Sequence, residues 1–152
     1  MVGHELYPYL HSVLIAVGYG LILPAIAVMH GRHTLVRQSA AILGTIAGTA
    51  TVTVGLSGSV NADLRPAALF VLGMWWWTIG KMWVQTRALP RGLGWVTATC
   101  GVLALAGALL ESANILSAVV PGYPDIGVWT LGQVALGLWL IAIAVVLARP
   151  ES

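Results

Sequence analysis

Charge is what this sequence lacks most: of 152 residues seven are Lys or Arg and five are Asp or Glu, so charged side chains make up only 8%. Soluble domains carry about a quarter of their residues charged, which places this chain outside that class. The seven basic residues are also too few and too dispersed for a nucleic-acid surface, where Lys and Arg cluster on one face. Cys100 is the single cysteine, which excludes an internal disulfide. Its place among small residues reads as compact packing rather than as a nucleophile. Histidine is confined to His4, His11, His30 and His33. Metal or haem binding needs several ligands converging on one point, and neither close pair has a third ligand beside it in the sequence. All four histidines read as surface residues, so no metal and no cofactor is expected.

Hydrophobic side chains, by contrast, make up 59% of the chain, with a mean hydropathy of +0.90. They fall in apolar runs of about twenty residues bounded by Arg, His, Pro or Gly, the length needed to cross a bilayer as helix. A membrane barrel would alternate apolar and polar residues instead. The pattern predicts an all-α, polytopic integral membrane protein with five transmembrane helices in one domain, spanning about 9–29, 35–58, 66–86, 92–120 and 128–148. Pro24 is expected to bend the first span. Ala25-Ile26-Ala27 resembles a leader-cleavage site, but Glu5 and no Lys or Arg precedes the apolar run, so the segment reads as a retained span. With five spans, Arg32, Arg37, Lys81, Arg87, Arg91 and Arg149 fall on one side and Arg65 on the other, with Glu5, Asp63 and Asp125. The positive-inside rule then puts the amino terminus outside and the carboxyl terminus in the cytoplasm, in a cell (inner) membrane.

The fourth span holds the residue of greatest interest. Thr97, Cys100, Ala104, Gly107, Glu111, Asn114 and Ala118 recur in steps of three and four and form one helical stripe of small or polar side chains. Helices in lipid associate through small residues and interhelical hydrogen bonds, so this face should point inward. Glu111, costly against acyl chains, should be protonated, paired or beside a wet cavity. Thr51, Asn114 and Gln133 lie at similar depth on their own polar stripes, and His11 reaches the same level from the first span. These five form a candidate outward-facing, ligand-binding or proton-linked pocket. The alternative is interhelical glue, whose hydrogen bonds average about 0.6 kcal/mol each.

Gly44, Gly48, Gly55, Gly107 and Gly137 read as helix-packing positions, with Gly44 and Gly48 forming a GxxxG pair. Thr45, Thr49 and Thr53 are expected to bond back to their own helix. Trp75, Trp76, Trp77 and Trp83 on the third span are expected to meet lipid, a partner subunit or a hydrophobic pigment, because three consecutive residues on a helix point in three directions. Lys81 is expected to snorkel toward the near surface.

Gly55-Leu56-Ser57-Gly58 matches the nucleophile motif of rhomboid proteases, yet those enzymes draw their base from a later histidine and none follows His33. From Leu89-Pro90-Arg91-Gly92-Leu93-Gly94-Trp95 through the Gly-rich and Leu-Trp-rich helices, the second half resembles a group of bacterial polytopic proteins, usually of six spans. That group carries no agreed activity. The sequence leads to an accessory or scaffolding subunit packed against a larger membrane complex, in contact with lipid and with other subunits or copies of itself, rather than to an enzyme. The alternative is a small transporter or intramembrane enzyme built on the Glu111 pocket.

Overall fold

The computed structural model describes residues 3–112 and 127–148, with side chains at 10, 13–112 and 127–148. Five α-helices make up nearly all of it: α1 (Gly3–Thr34), α2 (Gln38–Val60), α3 (Arg65–Thr86), α4 (Arg91–Ser112) and α5 (Gly127–Leu147). One 3-10 turn, Ala62–Leu64, joins α2 to α3. Each helix belongs to an apolar segment of 21 to 25 residues. At ~1.5 Å per residue that is about 32 to 37 Å, enough to cross a hydrocarbon core of about 30 Å.

Connections of three or four residues make successive helices antiparallel neighbours, and α1 packs on α2, α2 on α3 and α3 on α4. α5 closes against α1, α3 and α4. Its first turn lies at the ends of α2 and α4, where Trp129 stands over Gly58 and Val128 over Gly107. Arg32, Arg37, Lys81, Arg87 and Arg91 therefore share one end of the bundle, and Asp63, Arg65 and Glu111 lie toward the other. The first span continues to Thr34 rather than stopping at Met29, and α1 runs through Pro24 as unbroken helix. The fourth helix is described to Ser112, so Asn114 and Ala118 lie outside the described residues.

Hydroxyls on α2 cost little in lipid because they bond within the helix. Thr45, Thr49, Thr51, Thr53 and Ser57 each donate to the carbonyl four residues back, at 2.8 to 3.1 Å. Ser57 in the protease-like motif is thus occupied by Thr53 O.

α3 is the central element: half of its apolar segment is buried, against 17–28% for the others. Glycines bring α4 to it. A Cβ at Gly73 would stand 2.8 Å from the Gly101 carbonyl, and one at Gly80 would overlap the Ala98 amide. Gly94 and Gly101 return the same contacts from α4. The pairs are seven apart on each helix, the period of left-handed packing, so backbones meet twice along one seam.

This seam, not the stripe through Thr97 and Glu111 alone, is the main contact of α4, whose buried residues include Gly94, Ala98, Gly101 and Ala108. Among the expected packing glycines, Gly48 faces Ile26 and Trp75, Gly55 lies under the Tyr19 ring and Gly107 meets Val128. A Cβ at Gly44 would be in ordinary contact with Ile79 at 3.8 Å, while one at Gly137 would meet no described residue within 4 Å.

Enclosure of α3 changes the role of its tryptophans. Trp75 and Trp76 are 1% exposed and Trp83 is fully buried, so these three are interior residues instead of lipid or partner contacts. Trp77 alone of the four is exposed. A helix surrounded on several sides buries a wide arc, wide enough for two adjacent indoles. Trp139 of α5 gathers the three: it stacks on Trp83 at 6.3 Å and meets Trp75 and Trp76 at 5.4 and 5.6 Å.

α3 ends at Arg87, the one non-glycine residue with positive φ among those described (57°). Its amide closes the helix on Trp83 O, and Pro90 follows. Glycine takes this left-handed cap with less strain than arginine. Arg87→Gly is expected to raise stability by up to about 1 kcal/mol, read as a higher midpoint in thermal unfolding in detergent.

Candidate functional site

Polar side chains inside this bundle settle into four small constellations. Nearest the basic end, His33 is 4% exposed rather than at the surface. Its Nε2 accepts from Trp83 Nε1 at 2.7 Å, so that nitrogen carries no proton. One turn earlier, His30 Nδ1 lies 2.8 Å from Thr45 Oγ1. Thr45 spends its own hydrogen on Ala41 O, so His30 is the donor. Both histidines thus tie α1 to its neighbours.

At mid-depth Trp139 Nε1 donates to Thr97 Oγ1 at 2.9 Å, joining α5 to α4. Toward the other end Gln133 Nε2 donates to Tyr19 Oη at 3.1 Å, and Gly55 leaves the room in which the Tyr19 ring lies. Gln133 of the expected pocket is therefore engaged by Tyr19, and Thr51, 1% exposed, by the Ala47 carbonyl. His11 has no described side chain and Asn114 lies outside the described residues.

Among the described residues Arg65, at the first turn of α3, is the cation that acts on Glu111. The Arg65 guanidinium lies 6.0 Å from the Trp129 ring centroid, at the limit of a cation–π contact. Three buried polar atoms in this region meet no hydrogen-bond partner among the described residues: Glu111 Oε2, Arg65 Nε and Trp129 Nε1. One acceptor and two donors are thus gathered by α3, α4 and α5 against Gly58, Ala68 and Ala108. Buried polar groups are rarely left unpaired, so this triad has the chemistry to take water or a small polar solute. Its Arg65 limb was not singled out from the sequence, although the lone basic residue on the acidic side was the available signal. Among the described residues no three His, Cys, Asp or Glu side chains converge as metal ligands.

The outward faces carry a second kind of feature. Gly20 and Gly31 of α1 and Gly137 of α5 are exposed, and a Cβ at any of them would meet no described neighbour within 4 Å, although they lie inside helices. Around them Ala16, Ala27, Thr130 and Ala144 are exposed too. Both helices thus present narrow seams of small side chains to the outside of the bundle. No protein-family model, no curated protein and no solved structure matches this chain.

Proposed function

We propose that the protein is an accessory or scaffolding membrane subunit that packs sideways, through α1 and α5, against helices of a larger membrane complex. The open glycines carry this reading. A glycine inside a helix costs about 1 kcal/mol relative to alanine, and membrane helices place small residues where another backbone approaches. The tight glycines of α3 and α4 follow that rule inside the chain, and Gly20, Gly31 and Gly137 have the same chemistry with no neighbour among the described residues. The interior tryptophans contribute nothing to this contact.

Gly20→Ile and Gly137→Ile are expected to leave the isolated fold intact, since no described residue occupies the space they enter. Each should reduce by fivefold or more the share of protein migrating above its monomer in native gels of mild-detergent extracts. A monodisperse wild-type monomer in nanodiscs, or assemblies that survive both substitutions, would sink the reading.

A second reading rests on the unpartnered triad. An intramembrane carboxylate near a guanidinium, both with hydrogen-bonding atoms unpartnered among the described residues, supports binding of a small polar or charged solute, as in a transporter. Uptake of such a solute into proteoliposomes, lost in Glu111→Gln with the fold retained, would favour it over the first.

A further inference from the structure

A groove of about 340 Å³ opens between α2 and α3 at the basic end of the bundle. Arg37, Ser39, Lys81 and Gln85 line its mouth with Met82 beside them, and Leu43, Gly44 and Ile79 continue it toward the middle of the bundle. No carboxylate is among its lining residues. The Lys81 ammonium stands 5.0 Å from the Trp77 ring centroid, which holds the charge beside the groove.

The start of α2 adds donors of its own. Arg37 at the cap is extended, its side chain makes no capping bond, and the first turn holds no acidic residue. The first amide to bond back is that of Ala41, onto Arg37 O, which leaves the amides of residues 38 to 40 without helical acceptors. Two cations, a hydroxyl and a helix amino terminus thus surround one polar mouth, the arrangement that suits a phosphate.

The apolar continuation separates a lipid from a free anion. Gly44 and Ile79 meet at 3.8 Å as its floor, with Leu43 and Met82 beside them, side chains that suit methylene groups and offer nothing to an inorganic ion. At the low end of ligand-site volumes, the groove holds a headgroup and the start of a chain rather than a whole lipid.

We infer that this α2–α3 groove binds an anionic glycerophospholipid, its phosphate between Arg37 and Lys81 and the start of an acyl chain along Gly44 and Ile79. By the positive-inside rule the lipid belongs to the cytoplasmic leaflet. Charge selects it: each basic side chain near a charged headgroup is worth about fivefold in affinity, so two give a preference of about five- to twentyfold over a zwitterionic lipid.

Native mass spectrometry of the delipidated protein, with phosphatidylglycerol and phosphatidylcholine added separately at equal concentration, tests this. Phosphatidylglycerol adducts are expected to dominate by that margin. R37Q/K81Q should bring the ratio to within about twofold, whereas Arg91→Gln, a basic change at the same end outside the groove, should leave it unchanged. Gly44→Leu keeps both charges but fills the floor, and should lower occupancy by both lipids; it tests the site even if the double variant fails to fold, as judged by circular dichroism. Equal adducts on the wild type, a preference that survives R37Q/K81Q, or full displacement of lipid by millimolar inorganic phosphate would overturn the inference.

Discussion

Gly80→Ala is expected to destabilise the protein by about 3 kcal/mol or more, through a single added methyl group. The Cβ would land on backbone, overlapping the Ala98 amide and standing 2.7 Å from the Gly94 carbonyl. Backbone cannot rotate away as a side-chain tip can, so α3 and α4 must separate along the seam that also holds Gly73 and Gly101. Overpacking typically costs about 1 to 3 kcal/mol, and the upper end applies where no rotamer relieves it. Gly137→Ala supplies the opposite sign: with nothing within 4 Å, it should gain up to about 1 kcal/mol in the isolated chain from helix propensity. Thermal or denaturant unfolding in one detergent compares the two. A Gly80→Ala protein as stable as the wild type would mean that α3 and α4 do not approach this closely.

The spans were readable because hydropathy is a property of each segment by itself, and boundaries at Arg65, Thr86 and Leu147 follow from local breaks in apolar sequence. Which helix sits at the centre was not readable in the same way. Every span carries a small-residue stripe, and the choice between them is made by partners distant in sequence. Gly73 and Gly80 share their period of seven with Gly94 and Gly101, a signal overshadowed by the tryptophans between them. Three consecutive tryptophans point in three directions, and a helix with one buried face would leave some of them outside. α3 has several, and Trp139 arrives from α5 to complete their enclosure.

His33 misled for a related reason. It lies among Arg32, Thr34 and Arg37 at a helix end, a surface context locally, and its partner Trp83 is fifty residues away. Glu111 was recognisable from its own apolar surroundings, but neither Arg65 nor the Tyr19–Gln133 bond is written near it.

Exchanging Arg65 and Glu111 singly and together should show strong non-additivity. Arg65→Met leaves Glu111 without the cation that acts on it, and Glu111→Leu leaves Arg65 as an unbalanced charge whose Nε has no partner among the described residues. Breaking a fully buried pair costs about 3 to 5 kcal/mol, whereas these two side chains are only partly buried, so about 1 to 3 kcal/mol each is expected. R65M/E111L removes both charges and fills the space with apolar atoms, which is often neutral for buried pairs, so the double variant should lie within about 1 kcal/mol of the wild type. The coupling energy from the four proteins would then be about 1 to 6 kcal/mol. Glu111→Gln separates structure from function, because an amide keeps the size and a hydrogen-bonding oxygen while removing the charge. In a subunit that only packs, it should cost no more than Glu111→Leu and leave assembly unchanged. In a solute-binding protein it should abolish uptake with the unfolding midpoint preserved. Strict additivity of the Arg65 and Glu111 effects would show that the two charges do not act on each other, and would remove the triad as a site.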